Sequence, residues 1–149
     1  MSISQSRLAE LVGQASLISI DLIQQASKRG HGDATGALTP APDLHGAITR
    51  TTLVPNEPTT EPALLLRFDI RWDTAAHPAP DSEPFAKAEV IYRVAYRFSG
   101  EAPSFDELVR FGESLGVHHA WPFARAKVQA MSLELGLPVV LLPLHRLPE

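Results

Sequence analysis

Catalysis or metal binding needs histidines, carboxylates or nucleophiles at set spacings, and this sequence does not supply them. Its six histidines are His31, His45, His77, His118, His119 and His145. None forms an HExxH or comparable ligand spacing. His118 and His119 are adjacent at a helix start, where neighbouring side chains diverge, so one packing or capping histidine beside a solvated one is the expected arrangement. Asp69 and Asp73 share one strand face, but Arg67 and Arg71 alternate with them, which is the pattern of a self-paired, solvated surface. There is no GxSxG, GxGxxG or GxxxxGK[ST] motif. Cysteine is absent, which removes thiol catalysis, thiolate metal sites and disulfides. No catalytic residue, metal site or cofactor is expected.

The elements that would position any site come next. With 149 residues the chain suits one domain able to bury a core without staples. An apolar fraction of 44% and a charged fraction of 20% are those of a globular protein, which argues against disorder of the whole chain. A net charge of -4 without a Lys/Arg run excludes nucleic acid as a partner. No signal peptide or membrane-length apolar run is present, so a cytoplasmic protein with no membrane insertion is expected.

Leu8, Leu11 and Val12 are spaced as one face of a short helix, with Ser4 or Ser6 as its cap. Ile18, Ile20 and Leu22 alternate with Ser19 and Asp21, which favours a strand. A helix running on to Arg29 is the competing reading, since Gln24 to Lys28 suit helices. The stretch 30–42, with three glycines and two prolines, is expected to be a flexible loop within the single domain 1–149. Ala47 to Val54 reads as a second strand and the prolines that follow as another loop.

Leu64 to Trp72 alternates cleanly, with Leu64, Leu66, Phe68, Ile70 and Trp72 on one face. Glu89 to Phe98 repeats this with Val90, Tyr92, Val94, Tyr96 and Phe98. Consecutive strands are expected to be neighbours in an antiparallel sheet. Ser104-Phe105-Asp106-Glu107 is a capping box that opens a helix. Gly116 should end or bend that helix, and a second should start near Trp121 with Pro122 in its first turn. Its apolar stripe is Ala124, Val128, Met131 and Leu135. Gly136 and Pro138 should terminate it ahead of an apolar tail. The fold class is α+β: a four-stranded antiparallel sheet, a short N-terminal helix and a long broken C-terminal helix pair packed on the sheet.

Two modest helices cover only part of so apolar a sheet. Large apolar surface left over marks an interaction site, and rigid aromatic rings provide contact area at low entropic cost. The candidate groove residues are Phe68, Trp72, Tyr92, Tyr96, Trp121, Phe123, Leu137 and Leu141. The rival is a small-ligand-binding or enzymatic α+β cone, for which Thr52 and Arg50 are the only polar candidates on that face.

Ala120-Trp121-Pro122-Phe123-Ala124-Arg125 resembles the aromatic-Pro-aromatic-x-Arg motif of SecB-family chaperones. Gly136-Leu137-Pro138, followed by Leu142-Pro143, resembles that family's next signature, and Ala88-Glu89-Val90 its Glu-Val strand element. The resemblance implies a non-enzymatic chaperone that keeps unfolded polypeptide, either an export precursor or an antitoxin, soluble in a surface groove. It implies a homo-tetramer built through sheet edges, and docking of the SecA motor through Glu89 and, on the first strand, Asp21. The family's glycine-rich stretch after Glu-Val is replaced here by Ile91-Tyr92-Arg93-Val94. The helix over Leu8 to Val12 resembles the branch that serves toxin–antitoxin systems.

Overall fold

The alternation along Leu64–Trp72 creates a strand with one dry face, and in the computed structural model Leu64, Leu66, Phe68, Ile70 and Trp72 are all buried. Residues 3–29, 45–73 and 86–135 are described. In order they form α1 (Gln5–Gln14), β1 (Ala15–Arg29), β2 (His45–Leu53), β3 (Ala63–Asp73), β4 (Ala86–Phe98), α2 (Phe105–Phe111), a π-helical turn (Gly112–Gly116) and α3 (Val117–Glu134). The four strands make one antiparallel sheet in the order β1-β4-β3-β2, with helices on one face. This is the expected α+β arrangement.

The strand reading of the first apolar segment holds, and two other expectations are corrected. The strand runs on through Gln24 to Lys28, where a helix was the competing reading, because β4 supplies a ladder from Ala15↔Phe98 to Arg29↔Ala86. Tertiary pairing here overrides helix propensity. β1 also pairs with β4 and not with β2, so the first two strands lie at opposite edges of the sheet. The two C-terminal helices are not separated at Gly116. They run on through the π-helical turn, and α3 begins at Val117, so Pro122 lies inside it. Pro122 has no N–H to donate to the carbonyl four residues before it, so it contributes no backbone bond of its own to the helix.

The glycines of that turn serve close packing instead of capping. A Cβ on Gly112 would sit 2.6 Å from Thr52 Cγ2 and 3.2 Å from Leu64 Cδ1. One on Gly116 would touch Leu64 and Leu66 at 3.5 and 3.6 Å. Wide turns lose some backbone bonding, and Ser114 compensates: its hydroxyl donates to the carbonyls of Arg110 and Phe111 at 2.9 and 3.2 Å.

Capping follows the sequence closely. Ser104 Oγ accepts from the Glu107 N–H, and Glu107 Oε2 accepts from the Ser104 N–H at 2.9 Å, completing the box. Ser4 caps α1 through the Arg7 N–H. Arg7 then reaches Glu107, with Nε 2.9 Å from Oε1, and ties α1 to α2. Leu11 is buried beside this link. Ala124, Val128 and Met131 form the buried stripe of α3, with Leu135 packed at its end. Gly136 and Pro138, the loop at 30–42 and the apolar tail with Leu137 and Leu141 lie outside the described residues.

Candidate functional site

The helices cover β3 and β4, and β1 is left beyond them. Between β1 and α3 runs a groove of about 710 Å3. One wall is Ile20 and Leu22 of β1 with Tyr92 of β4; the other is Pro122, Phe123, Ala126 and Ala130 of α3, with Lys127 at the margin. The register explains the first wall: Ile20 pairs with Val94 and Leu22 with Tyr92, so both share the inward face of β4. The second wall has helical spacing, three to four residues per step, on a different side of α3 from the buried Ala124-Val128-Met131 stripe. Alanines at 126 and 130 keep it open.

Two of the exposed large apolar side chains line this groove, and others stand on β1 beside it. Phe123 is 52% exposed and Leu22 39%. β1 has two register shifts, between Leu17 and Ser19 and between Leu22 and Gln24. The extra residues are Ile18 and Ile23, each about half exposed. Bulges bend and twist an edge strand. With Leu17 also exposed, four large apolar side chains within seven residues of one edge strand stand uncovered.

A chain of rings links the core to the groove. Trp121 packs on Phe68 with centroids 5.8 Å apart, Phe68 on Tyr92 edge-on at 6.4 Å, and Tyr92 on Phe123 at 6.4 Å. Burial pushes the Tyr92 hydroxyl above its ordinary pKa, keeping it neutral. A second group surrounds Tyr96, which meets Phe111 edge-on at 4.9 Å and shares a 2.8 Å hydrogen bond with His119 Nδ1. His119 is held below its ordinary pKa, first by burial and then by the neighbouring His118. The two histidine rings are 6.1 Å apart. His119 is therefore a packing histidine.

Of the eight candidate groove residues, Phe68, Trp72 and Tyr96 are fully buried, and Tyr92 and Trp121 nearly so. These rings belong to the core, and of them only Tyr92 also lines the groove. Phe123 alone among the described candidates is open to solvent. The groove residues missed from sequence were Ile20 and Leu22 on β1 and Pro122, Ala126, Lys127 and Ala130 on α3. The alternation over Ile18–Leu22 was the signal for the first two, but it does not reveal that α3 stops short of β1.

The opposite face is polar. Asp21 stands across from Arg93, and Glu89 accepts from Arg67 at 2.7 Å and from Gln24 at 2.9 Å. Arg67 also holds Asp69 at 2.9 Å. Among the described residues, no group of three or more His, Asp or Glu is placed to hold a metal, and no helix is long and apolar enough to cross a membrane. Thr52, a polar candidate for a ligand cavity, is instead packed towards Gly112.

No protein-family profile matches the sequence, and no curated protein matches it by sequence. Among solved structures, the chain superposes on the Mycobacterium tuberculosis SecB-like chaperone Rv1957, solved in complex with a ChAD peptide from the antitoxin HigA1. The TM-score is 0.78 over 96% of this chain and 99% of that one, at 19% identity. The fold is SecB-like. In this SecB-like fold the sheet, the N-terminal helix and the long C-terminal helix are the shared elements, and the groove runs between the β1 edge of the sheet and the long C-terminal helix.

Proposed function

We propose that the chain is a non-enzymatic, cytoplasmic chaperone that holds unfolded or non-native polypeptide in the groove between β1 and α3. The observation that carries the reading is an open apolar groove, lined by Tyr92 and Phe123 and bordered by an edge strand with uncovered apolar side chains, in a SecB-like fold. Each client side chain buried there contributes about 1.5–3 kcal/mol, so several shallow subsites together can outcompete client collapse. Phe123, Leu22 and Ile20 are the primary contacts. Tyr92 and Trp121 hold Phe123 and the helix wall in place from behind.

The partner is a polypeptide, either an export precursor or an antitoxin. The antitoxin peptide bound to the mycobacterial neighbour favours a dedicated client of that kind. A homo-oligomer, with tetramer as its size, accounts for the remaining apolar residues of β1, since one copy leaves Leu17, Ile18 and Ile23 uncovered. SecA docking through Asp21 and Glu89 is a separate proposal, and Glu89 would first have to leave Arg67 and Gln24.

The test is aggregation of a chemically unfolded model protein, followed by light scattering. Wild type at stoichiometric amounts suppresses scattering, and a Leu22→Asp/Phe123→Asp variant of unchanged circular dichroism does not. Equal scattering with and without wild type would rule the reading out.

A further inference from the structure

The face of the sheet turned away from the helices is cupped where β1 and β3 end, around a concavity of about 640 Å3. The register sets Lys28 of β1 opposite Lys87 of β4, and Lys87 opposite Arg71 of β3. Three cations thus form one row across three neighbouring strands, about 10 Å long at the usual strand spacing. Like charges directly opposite destabilise a sheet. Natural counter-charges lie in the next row, where Glu89 is opposite Asp69. Arg67 engages both, and Gln24 adds a bond to Glu89. Lys28 and Lys87 are exposed and form no ion pair among the described residues. Among the described residues that line the concavity, Lys28 and Lys87 add their charge to that of Arg71, while Arg67 is the cation that engages the two carboxylates, in a chain whose net charge is -4.

We propose that this cationic row is a docking site for a short acidic stretch of a partner polypeptide. It lies on the opposite face from the client groove and is independent of it. An extended peptide presents side chains to one side about every 7 Å, so two or three carboxylates can span the row. Gln24 and Thr49 border it with hydrogen-bonding side chains suited to a peptide. Nucleic acid is the weaker fit, since tight phosphate binding needs a longer track of cations and the chain's net charge repels a polyanion. Glu89, one of the two acidic docking residues expected from sequence, lies in the next row, where Arg67 and Gln24 engage it.

The experiment uses the full chain and a fluorescein-labelled peptide of four glutamates flanked by Gly-Ser, read by anisotropy at low salt. Binding is expected, weakening with salt, and at least about tenfold weaker in Lys28→Glu/Lys87→Glu, as loss of two charge-assisted contacts implies. A matching tetraserine peptide binding as tightly, or tetraglutamate binding untouched by the charge reversal, would overturn the proposal. So would stronger, reversal-sensitive binding of a labelled oligothymidine. Lys28→Gln should raise Tm by about 1–3 °C by relieving the Lys28–Lys87 repulsion, and a lower Tm counts against the row. Suppression of aggregation should survive the charge reversal. Intact peptide binding in a protein that fails to suppress aggregation would leave this site standing while removing the groove reading.

Discussion

Truncating Phe123 to alanine separates the groove from the core. Phe123 is 52% exposed, so a bound client can cover about half of its ring. Full burial of such a side chain contributes about 2–3 kcal/mol, so the remaining half is worth about 1–1.5 kcal/mol, or about 5- to 12-fold in Kd. Within the folded chain the loss is small. The contact with Tyr92 contributes about 0.5–1 kcal/mol. Alanine's better helix propensity returns about half of that, and Tm should stay within about 2 °C of wild type. Phe68→Ala is the contrast. That ring is fully buried between Tyr92 and Trp121, and its removal should cost about 3–5 kcal/mol and lower Tm by about 10 °C or more. The assay is anisotropy of a labelled, permanently unfolded client fragment, alongside thermal melts. A Phe123→Ala protein that binds the fragment like wild type would refute the reasoning. So would one that loses stability as Phe68→Ala does.

Other expectations follow from the packing. Glu107→Gln should cost about 1 kcal/mol, or about 2–4 °C in Tm, by weakening both the capping box and the Arg7 link. Those same bonds, led by Arg7, hold the Glu107 carboxyl below its ordinary pKa. Its stabilisation is therefore complete above the unfolded value of about 4.3 and lost as pH falls through the folded value, so wild type and Glu107→Gln should converge in acid. His119 is depressed by burial, so its contribution is full above about pH 6.5 and declines as pH falls towards the folded value. Melts from pH 7.5 to 5 should decline less steeply in His119→Gln. Gly112→Ala should destabilise by about 1–3 kcal/mol despite alanine's helix propensity, because its methyl would meet Thr52 Cγ2. Thr52→Ser in the same chain should restore part of the loss; additive melts would refute the contact.

How far the sequence reveals this molecule differs element by element. β3 and β4 have one wet and one dry face, so period two identifies them to within a few residues. The caps at Ser4 and Ser104 are local chemistry and equally readable. The position of β1 is not, because Gln24 to Lys28 contain no pattern that distinguishes a helix from an edge strand completed by β4. Gly112, Gly116 and Pro122 have the residue types of helix breaks. Their use in a continuous helix depends on the approach of Thr52 and Leu64 from the sheet, which no local pattern records. The same limit applies to the site. Phe68, Trp72 and Tyr96 have the composition of a groove, but α2 and α3 cover that row and leave the Leu22–Phe123 gap open instead.

Site-specific photocrosslinking tests the central claim most directly. Benzoylphenylalanine replaces Phe123 in one protein and Thr51, on the opposite face of the sheet, in another. Each is irradiated with a labelled unfolded protein or with its native form. Crosslinks from position 123 to the unfolded form only, and few from position 51, are the expected result. Equal labelling from both positions, or none from 123, would contradict the assignment of the β1–α3 groove as the place where clients are held.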